Sequence, residues 1–179
     1  ELSSAPADGN ALLLLVDLDR FKQVNDTLGH AAGDQLLRLV GERLTALVGP
    51  SDLVARIGGD EFAMLVRSQH TTERLCQTIF DAIAPSFGLG GKLVHIGASV
   101  GVTAIDGSVG PMEALRRADL ALYAVKARGR GCWQQFSHEM ATALERRNSL
   151  EDDFRSALAD PEQFFTLYQP VYAADGHTI

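Results

Sequence analysis

Arg56-Ile57-Gly58-Gly59-Asp60-Glu61-Phe62 is the most informative segment of the sequence, because two adjacent carboxylates follow directly on a pair of glycines. Apolar runs flank it on both sides, at residues 53–55 and 62–66. Two apolar runs joined by Gly-Gly predict a tight β-hairpin, in which Gly58 and Gly59 take positive φ cheaply. Acidic side chains that enter so apolar a strand are costly to bury unless a cation neutralises them. We therefore expect a hard divalent cation and a phosphate-bearing ligand at this hairpin.

A second acidic element lies upstream of the hairpin. Residues 11–16 form a short, continuous apolar run that is typical of a strand buried on both faces. The run leads into Asp17 and Asp19, which share one face of the sheet only if the strand continues that far. A strand-end aspartate beside Asp60 and Glu61 would complete a cage of three carboxylates for a metal. For each acidic pair alone an equal alternative stays open: the aspartates cap the next helix, and Asp60 and Glu61 form a solvated turn.

Four motifs follow one another along the chain, and together they carry a family resemblance. They are Asp17, Asp19, Phe21, Lys22, Asn25 and Asp26; then Gly29, His30, Gly33 and Asp34; then Gly58–Phe62; and finally Ala118, Asp119, Ala121, Tyr123, Lys126, Gly129 and Arg130. This series resembles the GGDEF family of diguanylate cyclases over about residues 11–136. The resemblance implies an α+β or α/β fold with a central mixed, mostly antiparallel sheet flanked by helices, like nucleotide-cyclase and polymerase palm domains.

The resemblance also implies a reaction and its participants. The reaction is the condensation of two GTP molecules into cyclic di-GMP with loss of pyrophosphate, assisted by two Mg²⁺ or Mn²⁺ ions in each active site. Because one domain holds one GTP, catalysis requires a homodimer. The implied catalytic and metal-binding residues are Asp17, Asp60 and Glu61, with Leu18 adding its backbone carbonyl. The implied substrate-binding residues are Phe21, Lys22, Asn25, Asp34, Lys126 and Arg130, with Gly58 and Gly59 close to the nucleotide.

Within that set, the resemblance assigns separate roles. Asn25 and Asp34 would read the guanine, whose N1 and exocyclic amine can donate to a carboxylate. Lys22, Lys126 and Arg130 would hold the triphosphate. The alternative for Lys126 and Arg130 is a solvated, basic helix end near Ala127, which the helix dipole favours.

Two departures from the family pattern stand out. The family's usual N-terminal segment, D-x-L-T-G-L-x-N-R, is missing, and residues 1–10 are predicted to be loop. The family's product-inhibition motif, R-x-x-D, falls on residues 49–52, where Asp52 is kept but Gly49 replaces the arginine. Without a guanidinium fork to grip a guanine edge or a phosphate, we expect this inhibitory site to be degenerate and to bind cyclic di-GMP weakly.

Periodicity and turn residues predict the remaining elements and the domain organisation. Helices are expected at about 21–29, 33–48, 72–84, 111–127 and 139–158, and strands at 93–105, 131–136 and 164–172. We assign residues 1–136 to the GGDEF domain, 137–160 to a linker helix and 161–179 to the first strand of a truncated EAL domain. The last assignment depends on Leu167-Tyr168-Gln169-Pro170, which resembles the opening of EAL phosphodiesterase domains. A plain C-terminal helix and strand is the alternative.

Composition and chain length bound the function. The chain ends before any EAL metal ligand, so phosphodiesterase activity is not expected of it. A net charge of −7 argues against nucleic-acid binding. No apolar run approaches the roughly 18 residues of a membrane helix, so we expect a cytoplasmic domain without membrane contact of its own, whose full-length protein could be anchored through other regions.

Three functions remain compatible with the sequence. The intact signature favours a diguanylate cyclase. The missing N-terminal segment and the EAL continuation favour a GTP-binding regulatory module that tunes a downstream EAL phosphodiesterase in cis. A weaker third reading is an interaction platform with no nucleotide role.

Overall fold

The apolar run after Asn10 forms the nine-residue strand β1 (Ala11–Asp19), which continues three residues beyond its predicted end at Val16. The computed structural model describes residues 11–67, 71–106, 108–160, 163–164 and 167–169. The chain divides into two units, residues 1–140 and 141–179. The first unit contains every strand described below and the candidate site.

Six further strands and four helices complete the first unit. In chain order they are α1 (Phe21–Leu28), α2 (His30–Thr45), β2 (Leu53–Gly58), β3 (Glu61–Val66), α3 (Thr72–Ile83), β4 (Phe87–Leu89), β5 (Lys92–Val94), β6 (Gly97–Ile105), α4 (Pro111–Ala127) and β7 (Trp133–Gln135). The main sheet has the strand order β2-β3-β1-β6-β7, and β4 pairs with β5 separately. All pairs in the main sheet are antiparallel except β6 with β7. The expected central mixed, mostly antiparallel sheet flanked by helices is confirmed.

The two faces of β1 pack against different helices. Leu12, Leu14, Val16 and Leu18 lie in the larger apolar core, which contains buried side chains of α2 and α3. Leu13 and Leu15 pack with Ala114, Ala118 and Leu122 of α4. Successive residues of a strand point to opposite faces, so Asp17 and Asp19 continue the face that α4 covers. The position of α4 therefore determines which side chains the two aspartates meet.

Helix α4 lies unusually close to β6 at Gly101. A Cβ atom at this position would overlap the carbonyl oxygen of Ala118 and the backbone nitrogen of Leu122, and would lie 2.8 Å from the Cβ of Leu122. Glycine is required here because the neighbours are helix backbone, which cannot rotate away as a side chain can. This contact sets the distance between α4 and the sheet.

Two predicted boundaries were wrong. Helix α2 begins at His30, before the predicted start at Gly33, and ends at Thr45, before the predicted end at Val48. The predicted strand at 93–105 is two strands, because the chain leaves the β4–β5 hairpin and enters the main sheet only at Gly97. The turn of that hairpin is Gly90–Gly91, and both residues have positive φ, at 56° and 79°.

The second unit includes most of helix α5 (His138–Ala157), close to the predicted 139–158. The predicted strand at 164–172 lies largely outside the described residues, and the described Phe164 and residues 167–169 are not in a strand. Across the described part of the chain, no helix combines the length and the apolar character needed to span a bilayer.

Candidate active site

The ends of β1 and β3 place two acidic side chains beside a lysine from α4. Asp17 and Glu61 are direct partners in the antiparallel register. The Nζ atom of Lys126, in the last turn of α4, lies 2.7 Å from Oδ2 of Asp17 and 3.6 Å from Oε1 of Glu61. Three residues predicted from three separate motifs are thus in contact. For Lys126 the alternative of a solvated helix end does not hold.

Burial and neighbouring charges shift the pKa values of this pair. Asp17 is only 7% exposed, and this burial raises its pKa; the charges of Asp60 and Glu61 raise it further, whereas Lys126 lowers it. Burial opposes the charge on Lys126, but the hydrogen bond and charge of Asp17, followed by Glu61 and Asp60, leave its pKa raised. Two carboxylates in contact with one ammonium, with the charge of Asp60 nearby, make the site an attractive place for a further cation.

The hairpin tip differs in register from the prediction. Gly58 pairs with Glu61, so the two central turn residues are Gly59 and Asp60, and the expected Gly58–Gly59 turn was wrong. An irregularity between Arg56 and Gly58 causes the shift of one residue. Only Gly59 takes a positive φ, of 49°, and its carbonyl accepts a hydrogen bond of 2.9 Å from Nε of Arg56.

The same turn is tied to β1 through its backbone. The backbone nitrogen of Leu18 donates to the carbonyl of Asp60 at 3.2 Å. This bond holds the Asp60 turn against the end of β1, next to Asp17. The predicted role of the Leu18 carbonyl as a metal ligand stays a prediction.

The donor atoms at this site suit a hard cation. The ammonium of Lys126 already stands between two carboxylates, and carboxylate oxygens are the ligands that Mg²⁺ prefers. Asp17 and Glu61 would hold such an ion. Among the described residues no group of three or more His, Cys, Asp or Glu side chains is arranged to hold a metal. The cage of three carboxylates and the second ion therefore stay predictions.

The aspartates of β1 do not cap the following helix. The N-cap of α1 is Arg20, and no side chain caps it. Asp19 is instead held by β6 and by the turn after α4: its Oδ1 accepts from Oγ of Ser99 at 2.7 Å, and its Oδ2 accepts from the backbone nitrogen of Gly131 at 3.1 Å. Sequence reasoning missed this anchoring role, although the two-residue spacing already placed Asp19 on the face of Asp17.

Helices α1 and α2 meet at Asn25 and Gly33. Oδ1 of Asn25 is buried and has no hydrogen-bond partner among the described residues. A Cβ atom on Gly33 would overlap that oxygen and would lie 2.9 Å from its carbon, Cγ. Gly33 thus makes room for the amide, which keeps an unused acceptor. The side chain of Phe21 is 8% exposed and belongs to the core, so a substrate contact at this residue would come from its backbone.

The remaining predicted substrate residues lie around two pockets or on the surface. Asp34 lines a pocket of about 380 Å³ between α2 and β2, together with Arg38, Arg56 and Phe62. Arg130 lines a larger pocket, which includes residues of α1. Lys22 is exposed on α1. The structure thus brings Asp17, Glu61 and Lys126 into contact, whereas Asn25, Asp34 and Arg130 occupy separate places.

The residue kept from the inhibitory motif has a structural task. Oδ2 of Asp52 accepts from the backbone nitrogen of Gly49 at 2.9 Å, and its Oδ1 accepts from the backbone nitrogen of Arg67 at 2.8 Å. Both carboxylate oxygens are engaged, which ties the α2–β2 turn to the end of β3. The degenerate character of the inhibitory site stays a prediction.

We expect Asp52→Ala to lower the free energy of unfolding by about 1–3 kcal/mol, because two backbone N–H groups lose a charged acceptor. Chemical denaturation of the wild type and the variant measures the difference.

Cyclic di-GMP titrated into the wild type should bind this turn weakly. Tight binding that Asp52→Ala removes, without a loss of stability, would show that Asp52 belongs to a working inhibitory site.

Comparison with known proteins gives a consistent result. The profile of the family described as "Diguanylate cyclase, GGDEF domain" matches residues 1–132. The chain is 39% identical over 92% of its length to "Cyclic di-GMP phosphodiesterase NbdA" of Pseudomonas aeruginosa, covering 21% of that protein. It is 35% identical over 87% of its length to "Probable diguanylate cyclase DgcE" of Escherichia coli, covering 14% of it. The chain therefore spans about a fifth or less of these relatives.

A solved structure shows the same fold. The GGDEF domain of PA1120 (TpbB or YfiN) from Pseudomonas aeruginosa superimposes with a TM-score of 0.70 at 32% sequence identity. The match covers 76% of this chain and 82% of that one. The agreement of the sequence profile, the relatives and the fold determines the family.

Proposed function

The chain belongs to the GGDEF domain family of diguanylate cyclases, and from this membership and the site geometry we propose that it condenses two GTP molecules into cyclic di-GMP. The observation that carries the proposal is the contact of Lys126 with Asp17 and Glu61. It combines a cation for phosphate with two carboxylates for a divalent ion. Phosphoryl transfer is accelerated mainly by such positioning and charge neutralisation.

The reaction requires two equivalent transfers. The 3′-hydroxyl of one GTP attacks the α-phosphorus of the other; a new P–O bond forms, the bond to the bridging oxygen of the β-phosphate breaks, and pyrophosphate leaves. The hydroxyl proton is lost in each step, and Asp60 is a candidate to accept it. A bound divalent cation would lower the charge on the α-phosphate and the pKa of the hydroxyl. As negative charge develops on the phosphates, the ammonium of Lys126 would move from the carboxylates to the phosphates.

The proposal includes two copies of the domain. Each copy offers one set of Asp17, Glu61 and Lys126, and each GTP supplies both a nucleophile and a leaving group. Two domains that face each other would bring each 3′-hydroxyl to the other α-phosphate. A homodimer is therefore part of the proposed catalytic state, and two ions per site follow the family pattern.

Base selection is proposed to involve α1 and α2. Asn25 keeps an unpartnered amide oxygen, and Asp34 is an exposed carboxylate at the pocket beside β2. Guanine presents N–H donors where adenine does not. A site built on such hydrogen bonds rejects the base that lacks them, because its polar groups are left unpaired.

Asp34→Ala is expected to weaken GTP binding by about 1.5–3 kcal/mol and to leave ATP binding nearly unchanged. The lost contact is to guanine alone, so the dissociation constant for GTP rises while that for ATP stays nearly the same. The ratio of the ATP constant to the GTP constant therefore falls. Isothermal titration with each nucleotide measures this ratio. Asp81→Ala, an exposed aspartate on α3, is the matched control. Equal weakening of both nucleotides by Asp34→Ala would assign Asp34 a structural role.

A second function is favoured by one observation. The relative NbdA is named as a phosphodiesterase although the matched region is a GGDEF domain. A GTP-binding module that regulates a downstream EAL domain in cis is thus the alternative, and it agrees with our assignment of residues 161–179 to the start of such a domain. GTP binding without turnover by dimeric full-length protein, together with GTP-dependent hydrolysis of cyclic di-GMP, would favour this alternative over the cyclase. Both functions are proposed for the cytoplasm, where GTP is found.

A further inference from the structure

A buried hydroxyl on β6 has no part in the proposed reaction so far. Ser99 is 0% exposed and lies directly opposite Asp17 in the antiparallel pairing of β1 with β6. Its Oγ donates a hydrogen bond of 2.7 Å to Oδ1 of Asp19. A buried hydroxyl is costly unless it is hydrogen-bonded, so the bond to Asp19 offsets the cost of a serine at this position.

The same two side chains hold the turn that follows α4. The backbone nitrogen of Gly131 donates to Oδ2 of Asp19 at 3.1 Å and to Oγ of Ser99 at 3.3 Å. Gly97, the partner of Asp19 on β6, leaves room for this carboxylate, because a Cβ atom there would lie 3.1 Å from Oδ2. The end of β1, the middle of β6 and the turn after α4 thus meet at one set of hydrogen bonds.

The turn has a strained backbone. Gly129, Arg130 and Gly131 have φ values of 113°, 68° and 67°. Arg130 pays a steric cost for the left-handed conformation that the glycines do not pay. Such a conformation persists only where the surrounding structure determines it. The hydrogen bonds at Gly131 fix the residue directly after Arg130, and they supply this constraint.

The turn also closes the end of the helix that carries Lys126. The backbone nitrogens of Arg128 and Arg130 both donate to the carbonyl of Val125, at 3.1 and 3.2 Å. These bonds satisfy a carbonyl in the last turn of α4, which has no partner within the helix. Lys126 is the next residue, and its Nζ lies 2.7 Å from Oδ2 of Asp17. If the turn loosened, the helix end would fray and the ammonium would leave the carboxylate.

We propose that Ser99 and Asp19 are positioning residues, which hold the strained turn after α4 and thereby keep Lys126 at the carboxylates of the candidate active site. The two aspartates of β1 then have different tasks, since Asp17 belongs to the site and Asp19 to its support. Ser99 lies outside the four motifs that carry the family resemblance. The effect of this support on turnover rests on the proposed function, whereas its effect on the turn does not.

Two variants of similar shape separate the hydroxyl of Ser99 from the space that the side chain fills. Ser99→Thr keeps the hydroxyl, and Ser99→Val replaces it with a methyl group. Amide hydrogen exchange of the 179-residue chain, followed by nuclear magnetic resonance, measures the protection of the N–H groups of Arg130 and Gly131. We expect these amides to exchange about tenfold faster in Ser99→Val than in Ser99→Thr, because the hydrogen bonds of the hydroxyl are lost. Ser99→Ala, compared with the wild type, repeats the comparison without an added methyl group.

Thr103→Val is the matched control for this measurement. Thr103 is also a buried residue of β6, at 2% exposed, but its hydroxyl donates to the carbonyl of Ala104 and not to the turn after α4. The exchange of Arg130 and Gly131 should therefore change less than about twofold in this variant.

Turnover is the second readout, because a purely structural role would leave it unchanged in a folded variant. Ser99→Val should form cyclic di-GMP at least about tenfold more slowly than Ser99→Thr, since a small misplacement of a catalytic charge is costly. The Mg²⁺ concentration that gives half the maximal rate should change less than about twofold. Asp19→Asn should keep its rate to within about tenfold of the wild type, because an amide can accept from Gly131 and donate to Ser99.

Three results would overturn the proposal. The first is equal amide exchange in Ser99→Val and Ser99→Thr at equal melting temperatures. The second is faster exchange in Ser99→Val without slower turnover, which would make the hydroxyl a structural group alone. The third is a raised Mg²⁺ requirement in Asp19→Asn, which would make Asp19 a metal ligand.

The positioning role and the cyclase can fail separately. A wild-type protein that forms no cyclic di-GMP would contradict the proposed function. Amide exchange would then decide on the support of the turn alone: faster exchange in Ser99→Val than in Ser99→Thr would uphold it, and equal exchange would exclude it.

Discussion

Asp17→Asn is expected to lower the rate of cyclic di-GMP formation by at least about a hundredfold, the order of effect seen when one preorganised charge is removed from an active site. Asparagine has nearly the same shape as aspartate but cannot supply the negative charge that a divalent ion requires. Initial rates with GTP and Mg²⁺ measure the loss. Asp81→Asn, on the exposed surface of α3, should keep the wild-type rate.

The same variant should keep its fold. Burial raises the pKa of Asp17, so the folded protein disfavours its charged form relative to the unfolded chain. A neutral amide removes that cost, and Lys126 keeps Glu61 as a neighbour. In the absence of metal we expect the melting temperature to be unchanged or higher. Wild-type turnover by Asp17→Asn would exclude the assigned role of this carboxylate.

Gly101→Val should cause the largest loss of stability, at least about 3 kcal/mol, because the added side chain overlaps the backbone of α4. The helix would have to move away from β6 as a unit. Lys126 lies in the last turn of the same helix, so the variant should also lose its contact with Asp17 and most of its activity. Urea denaturation followed by circular dichroism measures the change.

Gly88→Val provides the matched control for this prediction. Gly88 is also a strand glycine, but a Cβ atom there meets nothing within 4 Å, and its φ is not positive. We expect its stability to change by less than about 1 kcal/mol. Equal losses in the two variants would show that β-strand flexibility, and not the approach of α4, explains the effect at Gly101.

The elements that carry the site could be predicted because their signals are local. The run at residues 11–16 indicates a buried strand and the apolar flanks of Gly58–Gly59 indicate a hairpin, and the antiparallel pairing of β1 with β3 places Asp17 opposite Glu61. The motif containing Lys126 identified the helix end that reaches them. These predictions require only periodicity, the turn residues and the family resemblance.

The features that could not be predicted depend on tertiary packing. The apolar spacing predicts a helix that starts at Gly33, whereas α2 starts at His30 and Gly33 fits against Asn25 inside it. The irregularity between Arg56 and Gly58 moves the turn to Gly59 and Asp60, although the Gly-Gly rule holds at Gly90–Gly91. Asp52 looked like a remnant of an inhibitory motif, and only the structure shows its two backbone contacts.

The identity of the products formed from GTP distinguishes a diguanylate cyclase from a domain that only binds GTP. The protein should be incubated with GTP and Mg²⁺ at a concentration that permits dimerisation, with Asp17→Asn in parallel, and the products resolved by liquid chromatography and mass spectrometry. We predict one cyclic di-GMP for every two pyrophosphates, with both absent in the variant. GTP that binds saturably but is recovered unchanged would contradict a diguanylate cyclase.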